Sequence, residues 1–350
     1  GPVVEGGSAA LRRERIGMKR WGSLVLTVVM LAGLLGDLSA VGGRIPGASA
    51  ADSGPVLWYK FDEGSGSVVS DASGNGHDGT LHGGYAWTTA PNGSGAIELN
   101  GTNGYVQMPD GLLAGLTDIT ITANVYVDPG NVNPAWIFTF GSTTDPMNDP
   151  EANYLGLLID RDNRFRAAIT SQRWSGEQNA NKGAPLAKGV WKSVAFTLSG
   201  TTGTLYEDGV VVARNANMTL DPKDMEPTIA NFLGRPAYVQ DRYFKGKISD
   251  FRVYDRALSE EEVRGIWIES LNDADAVQAV KGLLDLGDTS RVLRDLHLPT
   301  AMGNVSIEWT SSHPSIITND GKVTRPDEDT TVTLTATIRR GTASDTKSFE

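Results

Sequence analysis

The nine residues Ile119-Thr120-Ile121-Thr122-Ala123-Asn124-Val125-Tyr126-Val127 alternate apolar and polar side chains without a break. A strand with one face on a core satisfies a period of two, whereas a helix would scatter the same residues around its axis. Shorter strand-like runs lie at 136–140, 154–159, 165–169 and 191–198, separated by Gly, Asn and Asp. Residues 203–212 read as a hairpin in which Asp208-Gly209 supplies the positive backbone angles of a tight turn. Many short strands between Pro55 and Tyr254, with frequent turns and one late helix, predict an all-β two-sheet sandwich.

Residues 241–263 end that series. Phe244, Ile248, Phe251 and Val253 are apolar among charged neighbours, as in a half-buried strand, with an irregularity expected near Gly246. Tyr254-Asp255-Arg256 breaks the pattern. Ser259-Glu260-Glu261-Glu262 then forms a capping box, in which the Ser259 hydroxyl accepts from a free helix amide while Glu262 reaches back. That helix should run to about Trp267. A second helix is predicted from Asp273 to Leu286, because Ala276, Val277, Val280, Leu283 and Leu284 recur at helical spacing behind first-turn Asp residues, and Gly287 is a stop. Strand patterns resume at 296–299, 307–312, 321–326 and 330–338.

Composition removes several function classes. The 350 residues leave room for two domains. There is no cysteine, which excludes a disulfide framework, a thiolate-ligated zinc and a thiol nucleophile. The formal net charge is -11, and without residues 1–50, which hold six Lys/Arg against three Asp/Glu, it becomes -14. Such a surface is unsuited to phosphate neutralisation, so neither nucleic acid nor anionic lipid is an expected partner.

Two distant stretches carry a family resemblance. Gly246-Lys247-Ile248-Ser249-Asp250-Phe251-Arg252-Val253-Tyr254-Asp255-Arg256-Ala257-Leu258-Ser259, with Glu262-Val263 behind it, resembles the closing strand of the bacterial LamG-like jelly roll, a concanavalin-like two-sheet sandwich. Val56-Leu57-Trp58-Tyr59-Lys60-Phe61-Asp62-Glu63-Gly64 and the loop 71–79 resemble that family's opening strand and the loop after it, in the right order and separation. Further on, Leu298-Pro299, Trp309-Thr310-Ser311-Ser312, Gly321-Lys322-Val323-Thr324-Arg325-Pro326 and the run at 330–338 are similar to the atrophied bacterial immunoglobulin-like domain. That family closes with one more strand after a K-x-F-x-V pattern, which Lys347-Ser348-Phe349-Glu350 only begins, so the domain is expected to be incomplete and the protein longer. The expected division is an upstream segment (1–17), a signal peptide (18–50), a LamG-like jelly roll (51–267), a helical linker (268–290) and the immunoglobulin-like domain (291–350).

The resemblance implies a non-catalytic carbohydrate-binding and spacer region of a secreted multimodular glycoside hydrolase of arabinofuranosidase type. Its partner would be a polysaccharide or glycan, with the catalytic domain beyond Glu350 in the same chain. An extracellular adhesion or protein-interaction module and a complete polysaccharide-active enzyme are the alternatives. No catalytic residues are assigned. The E-x-D-x-E strand of glycosidases on this fold is absent, as are G-x-S-x-G, H-E-x-x-H and the phosphate-binding loop. Asp62-Glu63 and Glu207-Asp208 are sequence neighbours that a strand would point to opposite faces, and His77, His82, His297 and His313 read mostly as solvated loop residues.

Sugar recognition asks for an aromatic plate under the apolar face of the ring and planar polar groups for its hydroxyls. Tyr154, Arg166 and Trp174 fall in the middle strands and loops, which in a jelly roll form one sheet face and its rim, and Arg235, Tyr238 and Tyr243 border the same face. Packing is the alternative for each aromatic. If the alternation holds, Phe165 and Ala167 face the core and Arg166 faces outward, while Trp174 sits at a strand end or loop tip. Trp58, Trp191 and Trp309 read as core. Asp71, Ser73 and Asn75 before Gly76 have the spacing with which alternate oxygens wrap a hard cation, although position twelve is His82 and not the Glu of an EF-hand. An Asx-rich turn satisfying its own backbone is the alternative. The LamG-like resemblance implies a structural calcium near the paired terminal strands, which adds Asp62, Asp78 and Asp250 as ligands.

The N-terminal stretch has the parts of an export signal: Met18-Lys19-Arg20, an apolar run from Leu24 to Leu35, and Ala48-Ser49-Ala50 before Ala51. The run is too short to span a bilayer comfortably, so a secreted bacterial product with no stable membrane insertion after cleavage is expected, with an uncleaved membrane anchor as the alternative. N-terminal sequencing of the exported protein should begin at or near Ala51, and a start after Trp58 would contradict this reading.

Overall fold

The structure is a computed structural model that describes residues 53–350, so the expected signal peptide, its cleavage site and the upstream segment lie outside the described residues. The larger domain contains β1 (Leu57–Tyr59), β2 (Val68–Val69), β3 (Gly79–His82), β4 (Tyr85–Thr89), β5 (Gly95–Asn100), β6 (Tyr105–Gln107), β7 (Ile119–Val127) and β8 (Trp136–Gly141). It continues with β9 (Tyr154–Leu158), β10 (Phe165–Thr170), β11 (Gln178–Lys182), β12 (Trp191–Ser199), β13 (Thr202–Glu207), β14 (Val210–Asn215), β15 (Ala230–Leu233) and β16 (Lys245–Tyr254). One eight-stranded sheet has the order β14-β13-β12-β7-β16-β5-β4 with β1 beside β16, and the other has the order β11-β10-β9-β8-β15-β6-β3-β2. This is the expected jelly-roll sandwich. The β13–β14 hairpin turns at Asp208 and Gly209, whose φ values are 51° and 74°.

β16 organises its sheet. Along one edge its first half pairs with β5 and its second half with β1, and along the other edge it pairs with β7. A register shift between Ser249 and Arg252 separates the two halves, and Asp250 within it has φ 50°. Gly246 has a positive φ of 154°, as an irregularity there would require, but the register shift itself sits at Asp250. A non-glycine residue holds that left-handed conformation here because its side chain is tied down. Asp250 Oδ1 accepts from the Trp58 indole at 2.6 Å and from Arg252 Nε at 2.8 Å, and Oδ2 accepts from the same guanidinium at 2.7 Å.

The core lies between the sheets. Phe138, Phe140 and Phe165 on one side meet Ile121, Val125, Phe196 and Phe251 on the other. The Phe138 and Phe251 rings touch across the gap, with centroids 6.2 Å apart. Burying each such side chain contributes about 1.5–3 kcal/mol. The polar positions of β7 are buried as well, because the chain leaving β16 folds over them: the Thr120 hydroxyl donates to the Arg256 carbonyl and accepts from the Leu258 amide, both at 2.8 Å. Trp58 and Trp191 are not core residues. Leu57 and Tyr59 face inward, so Trp58 between them faces outward, under Lys60 and Arg252 at 4.3 and 4.6 Å, and Trp191 is half-buried against Tyr126.

Helix α1 (Glu260–Ser270) starts at the expected capping box, with the Glu262 amide donating to Ser259 Oγ and the Ser259 amide to Glu262 Oε2. Val263 and Ile266 pack with Ala195, Tyr206 and Tyr254 on the outside of the first sheet, whereas Ile268 belongs to the core of the smaller domain. Helix α2 (Asp273–Leu283) is capped by Asn272, whose side chain accepts from the Asp275 amide. Expected as a linker, it instead buries Ala276, Val277 and Val280 against the smaller domain's sheet, which consists of β17 (Ala301–Met302), β18 (Val305–Ser311), β19 (Leu334–Arg340) and β20 (Ala343–Phe349). Trp309 is in that core, as expected. Residues 296–299 and 321–326 form no ladder strand, the latter contributing a single bridge between Val323 and Ile317.

Arg340 fastens the helical corner. Its guanidinium donates to the carbonyls of Ile268 and Leu271, to Asn304 Oδ1 and to Asp273 Oδ1. Arg340→Ala removes the guanidinium from these acceptors, leaving the Ile268 carbonyl only its bond from the Leu271 amide, and should destabilise the smaller domain by about 1–3 kcal/mol, with Arg340→Lys recovering only part. Urea unfolding followed by circular dichroism measures this, and unchanged midpoints would mean that apolar packing alone holds the corner.

Candidate functional site

The outward face of the second sheet is concave over β8, β9 and β10. A register shift between Trp136 and Phe138 sends Ile137 and Phe138 into the core and turns Trp136 outward. The indole lies across β9 because position 156 is glycine; a Cβ there would stand 2.4 Å from the ring. Trp136, Tyr154 and Tyr238 pack edge to face or tilted, with centroids 5.5–6.2 Å apart. This aromatic floor, with Leu158, underlies a cavity of about 390 Å³, within the range of small-ligand sites.

The walls come from strands and loops. On β10, Phe165 and Ala167 face the core and Arg166 faces out, its guanidinium 3.2 Å from Glu177 Oε1. Glu177 Oε2 accepts from the Tyr154 hydroxyl at 2.7 Å, which in turn accepts from Tyr238 at 3.2 Å. Burial first, and then the Glu177 charge, push the Tyr154 phenol far above its usual range, so it stays a donor. Opposite, Asp241 Oδ2 accepts from the Trp136 indole at 2.7 Å and from Arg161 at 2.5 Å. Asp162, Met147 and Gln240 complete the lining.

Trp174 stands on the rim with 58 % of its surface exposed. The turn beneath it is knitted by bonds from Thr170 Oγ1 to the Arg173 carbonyl, from Ser175 Oγ to the Gln172 carbonyl and from the Arg173 amide to the Ala152 carbonyl. Arg173, at φ 44°, lies over the indole at 5.5 Å. The rim thus presents a fixed aromatic plate.

Four of the six expected sugar-contacting residues, Tyr154, Arg166, Trp174 and Tyr238, line this one pocket. Arg235 and Tyr243 do not. The Arg235 guanidinium covers Tyr105 and Phe232 at 5.0 and 4.3 Å, and the Tyr243 ring lies 6.2 Å from Tyr105, so both serve a separate aromatic cluster over β6 and β15. Sequence reasoning missed Trp136, Arg161 and Glu177 as pocket residues. Glu177, three positions after Trp174 in the same turn, carried a usable signal. Trp136 carried none, because its direction is set by the register shift.

Fold and pocket together define a lectin-like jelly roll followed by a small immunoglobulin-like domain. Residues 100–264 match the family described as the concanavalin A-like lectin/glucanases superfamily, and residues 274–350 match the atrophied bacterial Ig domain. The two matches fall one on each domain, in the order expected from the sequence. It is 22 % identical over 254 residues to an Alpha-L-arabinofuranosidase of Bifidobacterium longum subsp. longum, a match covering 70 % of this chain and 23 % of that protein. Among solved structures it is similar to domain 4 of a GH43 extracellular arabinanase from Geobacillus stearothermophilus in complex with arabinotriose (22 % identity, TM-score 0.49, 60 % of this chain and 97 % of that one). It is also similar to a sialidase CBM40 from Ruminococcus gnavus bound to alpha2,3 sialyllactose (17 % identity, TM-score 0.41, 49 % and 95 %).

The acidic residues expected to hold calcium are engaged in hydrogen bonds and an ion pair as they are placed. Asp71 Oδ1 accepts the Trp58 and Ser73 amides at 2.9 Å and Oδ2 the His77 amide at 3.1 Å. Asp78 accepts the Asp71 amide, Asn75 donates to the Val56 carbonyl and Asp62 accepts the Gly95 amide. Asp250 is paired with Arg252. The loop is thus an Asx-type clamp on the opening strand. Burial pushes the Asp71 carboxyl up, but hydrogen bonds from Ser73, Trp58 and His77 outweigh it and hold the group below its ordinary 3.8. Asp71 therefore titrates lower folded than unfolded; its contribution is complete above the unfolded value and is lost as pH falls through the folded one. Asp71→Asn should cost about 1–3 kcal/mol at neutral pH, with the difference from the parent shrinking along the acid limb. Urea unfolding across a pH series checks both.

Proposed function

We propose that the larger domain is a carbohydrate-binding module and the smaller an immunoglobulin-like spacer, together part of a secreted bacterial glycoside hydrolase whose catalytic domain lies elsewhere in the same protein. The observation that carries this reading is the pocket over β8–β10: an exposed Trp174 plate beside an aromatic floor, with ordered guanidinium and carboxylate groups at hydroxyl-bonding positions. A sugar ring stacks on the indole while Arg161, Arg166, Glu177 and Asp241 exchange hydrogen bonds with its hydroxyls. Glu177 and Asp241 are each committed to an arginine and to a Tyr or Trp donor, which suits holding a ligand more than shuttling a proton. The partial match to an Alpha-L-arabinofuranosidase supports an arabinose-containing polysaccharide as the ligand, and the export-signal pattern supports secretion.

Trp174→Ala should weaken retention on arabinan by about tenfold or more, the equivalent of a stacking contact near 1.4 kcal/mol. With most of its ring in solvent, the substitution should leave the melting temperature nearly unchanged. Affinity electrophoresis and thermal melts make the comparison, and undiminished retention by a folded variant would count against the pocket. Hydrolysis of the polysaccharide by residues 51–350 would overturn the non-catalytic role.

A further inference from the structure

The pocket's two guanidinium groups would suit a sugar acid if they were free, and they are not. Arg161 is 2.5 Å from Asp241 and Arg166 is 3.2 Å from Glu177. The side chains of Arg166, Glu177 and Asp241 are only 15 %, 11 % and 7 % exposed, so these pairs are weakly screened and costly to part. A third carboxylate, Asp162, faces the cavity from a left-handed backbone at φ 56°. Two cations against three anions leave the lining with a net negative charge. On the reading of this pocket as a saccharide site, we propose that it selects neutral saccharides and rejects uronic and sialic acids. An incoming carboxylate, even one using the spare guanidinium donors, would bring a fourth negative charge beside Glu177, Asp241 and Asp162. Hydroxyl groups need displace nothing: each guanidinium has donors beyond the one its carboxylate uses, and each carboxylate has lone pairs left to accept.

The test is calorimetric titration of the full chain with a neutral set (arabinotriose, xylotriose and cellotriose) and an acidic set (trigalacturonate and 3′-sialyllactose), at low and high salt. A neutral trisaccharide should bind with little salt dependence, and both acids should bind about tenfold more weakly or not at all. Glu177→Gln, which frees Arg166, should narrow that gap, and Asp162→Asn should narrow it even if Glu177→Gln does not fold. Acids binding as tightly as the best neutral ligand would overturn the proposal, and so would a gap unchanged in both folded variants. If no saccharide of either charge binds, the carbohydrate reading itself fails, an outcome distinct from misjudged selectivity.

Discussion

The larger domain depends on β16 being shared. A strand that pairs along one edge with β5 and then with β1, and along the other with β7, joins the larger domain's first described strand to its last. The change of partner happens at Asp250, where a left-handed backbone is held by the indole of Trp58, 192 residues away in sequence, and by Arg252. Opening and closing strands can then form only together, and the Asp71 loop, by accepting the Trp58 amide, clamps the same edge from outside.

That arrangement decides where a ligand can bind. Part of the outside of the β16 sheet is taken up by Leu258, Val263 and Ile266 packing on Ala195, Tyr206 and Tyr254. The outside of the opposite sheet keeps its concavity. There the strands fix Tyr154 and Arg166, and the loops add Trp174, Tyr238 and Asp241, each held by hydrogen bonds or ring contacts before any ligand arrives. A site ordered in advance loses little side-chain freedom on binding.

The two domains are joined by packing and not by a tether. Within one helix, Val263 and Ile266 face the larger domain while Ile268 faces the smaller, and Arg340 grips the carbonyls at the corner where α1 gives way to α2.

The strand alternation at 119–127, the Asp208-Gly209 turn and the Ser259 capping box were legible in the sequence because each depends on local periodicity or on contacts a few residues apart. So was the outward direction of Arg166, which follows from Phe165 and Ala167 facing in. Trp58 could have been placed by the same rule, since both its neighbours face the core. What the local pattern could not supply was anything set by distant pairing. The bulge at Asp250, the register shift that turns Trp136 outward, the ion pair that neutralises Arg161, and the separation of Tyr243 from the pocket all join residues far apart in the chain. Composition and short-range spacing thus determined the all-β class and the aromatic and charged residues available for a site. Only the tertiary structure decided which of them share a pocket, because that depends on register between strands that the sequence keeps apart.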